Sequence, residues 1–440
     1  MGRVHLAVLG TVVSAIILLV SSPASAVQSS FQDELANLKS PNVDTRVKAS
    51  KALGQSKRPE AIPALTEAMR DPELKVRRQT VFSLRGFNST DAIDGLLIGL
   101  RDEEKGIRNE AIVALLEIYV GAGNADLGGP LSFLLGPRYK TPKLNGLIPV
   151  SSDVVTALEA RLQDEEPVLR RRAAYTLGVL GVADAVDSLG AALSDPQKDV
   201  RMEVVSALAS IGNDAAGEAL RGTLSIAASD ASFAGHVVDA LGQMKYLPAG
   251  SELVSIYDGN LNNLGDRALR SLALMGAPEA RGIFYYQMTS KRADQRRWAA
   301  EGLGRLSDKS LIPGMMKDFL REPDPSVQLA YCFSLARLGQ TEFVDRIALS
   351  LGSKKLQEQA HDYAVELGSP LLEDLVTYLS DPVPEVRKEM AQVLMEIGDP
   401  AAIPYLKPLL SDPNVEVADR ANRAIARLQQ GDQSVSSIPF

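Results

Sequence analysis

Residue types that commonly carry catalysis are scarce in this chain, which holds three His and one Cys in 440 residues. His5 lies in an N-terminal apolar stretch, and His236 and His361 are 125 positions apart. Two separated imidazoles make a poor transition-metal site, because zinc and iron take three or four convergent ligands. Cys332 stands alone within Leu329-Ala330-Tyr331-Cys332-Phe333. It has no partner for an internal disulfide, and a thiol in such apolar surroundings lacks the cation that would make it a reactive thiolate. The sequence contains no GxSxG elbow, no phosphate-binding Gly-Lys loop and no HExxH pair. A Ser-His-Asp arrangement drawn from distant positions would leave no such mark. These residues predict no catalytic, cofactor-binding or metal-binding group.

The positions that do recur are Asp and Arg. A DPxxxVR pattern runs from Asp195-Pro196 to Val200-Arg201, and again from Asp71 to Arg77 and from Asp381 to Arg387. Arg46, Arg77 and Arg108 are 31 apart, Arg170 follows after 62, and Arg201 after another 31. A period of this length signals stacked supersecondary units that share a core along an array.

The elements that position these residues follow from local rules. Asp195 suits a helix cap, and Pro196 suits the first helical position, where its missing donor costs nothing. Val200, Val204, Leu208 and Ile211 then fall on one helical stripe, and Gly212 supplies the left-handed residue that ends it. A second helix continues through Ala219 to Leu224. Ile62-Pro63, Ile312-Pro313 and Ile403-Pro404 open the second helix of other units in the same way. The template places first helices near residues 42, 72, 103, 165, 196, 230, 262, 293, 324, 354, 382 and 413.

This pattern resembles the short bacterial HEAT repeat, the kind also found in the phycobilin-lyase-like group, over nearly all of residues 30–428. The resemblance implies an all-α fold, a right-handed α-solenoid of about twelve HEAT-like helical hairpins. It also implies a ladder in which the Asp at one helix start accepts from the Arg of an adjacent repeat, so that Asp71, Arg77, Asp195, Arg201, Asp381 and Arg387 are structural; a row of anion-binding Arg is the alternative. Ala234, Gly265, Gln328 and Gln357 replace the Arg in the middle of the chain, where regularity and curvature are expected to depart from the template. Some HEAT-like proteins are di-iron hydroxylases with paired His-Glu dipeptides; here neither His236 nor His361 is followed by Glu.

Domain limits follow. Arg3, the apolar run Leu6 to Val20 and the small-x-small ending Pro23-Ala24-Ser25-Ala26 read as a signal peptide over residues 1–26, cut after Ala26. The run is short for a membrane span, so the mature chain is expected to be exported, periplasmic or secreted, with no stable span after cleavage. Residues 27–428 form the solenoid, and residues 429–440 read as a disordered tail. Without Arg3 the chain has 46 basic and 55 acidic residues, a net charge of −9. Nucleic-acid binders show a basic stripe instead.

Two departures from the template are candidate surfaces for a protein partner. An inserted loop over residues 120–150 is rich in Gly and Pro and carries Phe133, Leu134 and Tyr139; insertions of this length are often functional. The second helices of repeats six to eight concentrate Tyr257, Phe284, Tyr285, Tyr286, Met315, Met316 and Phe319 in a chain that is only 5% aromatic. HEAT-like arrays line their concave face with second helices, where aromatic side chains anchor polypeptides. The expected function is therefore an exported, noncatalytic scaffold for protein–protein interaction. The alternatives are an enzyme related to bilin lyases or hydroxylases, and a structural envelope component binding polysaccharide or other repeat proteins.

Overall fold

The computed structural model describes residues 23–121, 148–227, 230–259 and 263–435, and every regular element among them is helical. The chain divides into two bodies, with the division after Thr176. The N-terminal body contains α1 (Pro23–Asn37), α2 (Val43–Ser56), α3 (Ile62–Ala68), α4 (Leu74–Arg85), α5 (Ile93–Gly99), α6 (Lys105–Val120), α7 (Ser152–Arg161) and the start of α8 (Pro167–Leu180). The C-terminal body contains α9 (Val186–Ala192), α10 (Lys198–Ile211), α11 (Asp214–Ala227), α12 (Ala231–Gln243), α13 (Gly250–Asp258), α14 (Asn263–Met275), α15 (Arg281–Gln287) and α16 (Ala293–Arg305). It continues with α17 (Ile312–Phe319), α18 (Pro325–Arg337), α19 (Val344–Ser350), α20 (Gln357–Leu367), α21 (Leu372–Val376), α22 (Pro384–Ile397), α23 (Ile403–Leu406) and α24 (Val415–Val435).

Even-numbered helices from α2 onward are the first helices of twelve repeats, each beginning within three residues of its expected start. Odd-numbered helices from α3 onward are the second helices, most of them a short turn of 3-10 helix followed by one or two α turns. Eleven repeats have both helices among the described residues, and in the third the link between α6 and α7 falls largely outside them. The twelfth is α24 alone, which buries Val417, Ala421, Ala424 and Leu428 and turns Glu416, Asp419 and Arg423 to solvent. The expected tail from residue 429 is corrected here, because α24 remains helical to Val435.

One register governs the hairpins. First helices end in a left-handed residue, either glycine, as at Gly212, Gly276 and Gly398, or Lys57, Asn88, Lys245 and Ser307 at the matching place. The fourth residue of nearly every second helix is buried, for example Leu65, Leu96, Leu189, Phe284, Met315 and Leu406.

The helix starts differ from expectation in one respect. Helices α4, α10 and α22 begin at Leu74, Lys198 and Pro384, three residues after Asp71, Asp195 and Asp381. Each Asp accepts the backbone N–H two residues on, at 2.9, 2.8 and 2.8 Å, in a turn that precedes the helix. The Asp of such a turn stays outside the helix, so Asp71 can face the preceding repeat and accept from Arg46 as well.

Residues 1–22 of the expected signal peptide lie outside the described residues, and Pro23 to Ala26 form the start of α1. The insertion, with Phe133, Leu134 and Tyr139, falls largely on residues 122–147, also outside them. Helix α6 ends at Val120 and α7 starts at Ser152, and across that gap Arg108 holds Asp164 through two bonds of 2.8 and 2.9 Å. This rung of the ladder therefore forms between described residues on either side of the insertion. Replacing residues 122–147 by a short Gly-Ser link is expected to preserve helicity and melting temperature, since loop-closure entropy changes slowly with length; circular dichroism that shows a lost transition would place inserted residues in the core.

Candidate partner-binding surface

The Asp and Arg positions are absorbed by packing. Arg46, Arg77 and Arg387 each reach the Asp of the next repeat, Asp71, Asp102 and Asp412, through Nε at 2.6, 2.7 and 2.8 Å. The same guanidinium donates through Nη1 to the carbonyl six residues before it, as Arg77 does to Asp71 at 3.0 Å, Arg201 to Asp195 at 2.8 Å and Arg387 to Asp381 at 2.7 Å. Each Arg thus joins its own interrepeat turn to the next, and bidentate geometry makes the bond charge-assisted at both ends. Where Gln replaces Arg, Gln328 and Gln357 keep the carbonyl contact at 2.6 and 3.0 Å without the ion pair.

The C-terminal body adds a second charge cluster. Arg305, at the end of α16, binds Glu366 of α20 through Nε and Nη2 at 2.8 and 2.7 Å, and reaches the Ala273 carbonyl of α14 at 3.1 Å. Lys245, just beyond α12, and Arg337, at the end of α18, approach the same carboxylate at 3.5 and 3.6 Å. Tyr363 donates to Glu301 and stacks on Phe333, with ring centroids 4.4 Å apart. Burial pushes the Tyr363 hydroxyl well above its ordinary value, and the Glu301 charge adds to this.

This cluster fixes the direction of curvature locally. Residues 121 positions apart meet because the C-terminal ends of first helices from repeats six to ten converge. Helices α14, α16 and α18 pack side to side, while α13, α15 and α17 make only marginal contact with one another. The expectation that second helices line the concave side is corrected for this stretch: the ends of the first helices are inside the curl and the second helices splay.

The aromatic candidates on those second helices separate into two groups. Tyr285 and Tyr286 are 51% and 71% exposed. Met315 is core, because it occupies the buried fourth position that Phe284 occupies in the previous repeat. Tyr257 is half-buried and its hydroxyl meets the Gln287 amide. Phe319 packs edge-on against Phe343 at 5.4 Å and beneath Arg346 at 5.3 Å. Met316, one position past the core residue as Tyr285 is, belongs to the exposed group, and Leu320, which is 81% exposed and which the aromatic and Met pattern does not mark, completes it. Counting from the Ile-Pro register would have found Leu320.

His236 Nδ1 meets the Ser232 carbonyl at 2.6 Å on its own helix, and His361 lies 3.2 Å from Glu396. Burial pushes the Cys332 thiol up to about 12. Among the described residues no three His, Cys, Asp or Glu side chains form a group that could hold a metal ion.

The HEAT-repeat family profile matches residues 33–116, 155–231 and 346–426. No curated protein matches the chain. Among solved structures, an engineered protein is 17% identical, with a TM-score of 0.36 over 91% of this chain and 99% of that one. The complex of CpcE and CpcF of phycocyanin lyase from a Nostoc species is 20% identical, with a TM-score of 0.35 over 64% of this chain and 96% of that one. With more than half of its residues matched and stacked helical hairpins throughout the described regions, the chain belongs to the HEAT-repeat family.

Proposed function

We propose that the protein is an exported, noncatalytic scaffold that binds a protein partner through the second-helix surface of repeats seven and eight. The observation that carries this reading is the exposure of Tyr285, Tyr286, Met316 and Leu320 on two successive second helices. Large apolar side chains held in solvent by a regular scaffold are the anchors that dominate protein interfaces, Tyr above all. The leader-like N-terminus supports export, and no described helix is long and apolar enough to cross a membrane.

A pull-down from the native cells with the full chain and with a Tyr285→Ala/Tyr286→Ala variant tests the reading. Both proteins should melt alike, since neither Tyr is core, and proteins retained by the parent should be lost by the variant. Intact mass of the chain purified from those cells should begin at Val27. An identical set of retained proteins removes the surface from consideration, and an unprocessed mass removes cleavage.

A further inference from the structure

We infer that the occupant of this surface is an acidic polypeptide segment with aromatic or aliphatic anchors, which rests on the scaffold reading above and specifies its partner. Charge is distributed unevenly along the chain. Residues 281–355 carry thirteen Lys and Arg against eight Asp and Glu, a net of +5 in a chain whose formal net charge is −8. Six of those eight acidic groups are engaged within the fold: Glu322 by Arg296, Asp308 by Arg281, Asp294 by Arg292, Glu301 by Tyr363, Asp324 by the Ser326 N–H and Asp345 by Tyr378. Lys317 and Arg321 are exposed and have no carboxylate partner among the described residues. They lie one position past Met316 and Leu320, so along α17 and the turn that follows it an apolar pair spaced i, i+4 runs beside a cationic pair of the same spacing, Leu320 and Arg321 standing just past the helix end at Phe319. Asp318 is the one carboxylate on that helix.

The surface between α15 and α17 also accepts close approach. A side chain at Gly282 or Gly314 would meet nothing within 4 Å, and the two helices splay. A partner backbone can therefore settle between Tyr285 and Met316 while its carboxylates face Lys317 and Arg321. Complementary charge of this kind steers encounter and suppresses wrong partners.

The test is selection of a random 15-residue peptide library on the full chain, followed by titration of individual peptides. Selected sequences should combine Asp or Glu with aromatic or Leu residues. They should bind Lys317→Glu/Arg321→Glu about tenfold more weakly and Tyr285→Ala/Tyr286→Ala about thirtyfold more weakly, the size of a hot-spot loss, with both variants melting as the parent does. Peptides without acidic bias that lose affinity only for the Tyr variant would overturn the charge inference and keep the scaffold surface. Peptides indifferent to both variants would overturn both. So would failure to select any peptide when a soluble oligosaccharide panel binds in a Tyr285- and Tyr286-dependent way.

Discussion

Arg305→Ala is expected to destabilise the C-terminal body by about 3 to 5 kcal/mol at pH 7, the cost typical of removing one partner of a buried ion pair. The Arg305 side chain is 5% exposed, and its guanidinium serves Glu366, the Ala273 carbonyl and Glu301 together. Its loss leaves Glu366, among the described residues, with Lys245 and Arg337 at the margin of contact. The pH dependence carries the sharper expectation. Burial pushes the Glu366 carboxyl up, but Arg305 more than offsets this, and the group sits below its ordinary value of 4.5. A depressed folded pKa contributes stability above the unfolded value and loses it as pH falls through the folded one. In Arg305→Ala burial is less opposed, the carboxyl rises, and protonation relieves a buried charge. The gap between parent and variant should therefore be wide at pH 7 and shrink below about pH 4. Trp298, the one Trp, lies on the same helix and reports the transition by fluorescence in urea. A gap under about 1 kcal/mol, or one indifferent to pH, would mean that the cluster is a surface feature.

The helices were legible because every repeat restates them. Twelve first helices could be placed from a 31-residue spacing, a glycine terminator and a four-residue apolar stripe, all local or periodic signals. The function of Asp71 and Asp195 was half legible. Pairing with an adjacent repeat follows from the family's ladder, but whether the carboxylate caps the helix itself, as Asp230 does, or closes a turn before it, as Asp71 and Asp195 do, is set by turn geometry that is not written in residue types. Glu366 was invisible for a different reason. Its partners are 29, 61 and 121 positions away and recur at no fixed interval, so no periodic reading joins them. The sequence marked the middle as irregular through its missing Arg residues; it did not say that first-helix ends would converge there. Among surface candidates, Tyr285 and Tyr286 were readable as successive residues that cannot both face the core. Met315 was misassigned because the neighbouring Met residues differ only in phase, about 100° of helix rotation, and the phase had to be taken from Phe284.

Within the ladder, Arg108→Ala should cost about 3 kcal/mol and Arg201→Ala only about 1 kcal/mol, although both occupy the same repeat position. In the first pair the side chains of Arg108 and Asp164 are 6% and 2% exposed and joined by two bonds. Arg108 also reaches the Asp102 and Glu103 carbonyls, each at 2.9 Å. Burial pushes the Asp164 carboxyl up, yet Arg108 and the Glu166 N–H hold it below its ordinary value, so this contribution too is present at neutral pH and lost in acid. The second pair, Arg201 with Asp230, is 3.6 Å apart with side chains 20% and 32% exposed, and solvent weakens it. Asp230 there caps α12 directly, accepting from Ser232 and Phe233, and keeps that role without Arg201. Urea denaturation of the two variants decides the point. Equal losses would show that a rung contributes by its place in the repeat, and a larger loss at Arg201 would reverse the argument from burial altogether.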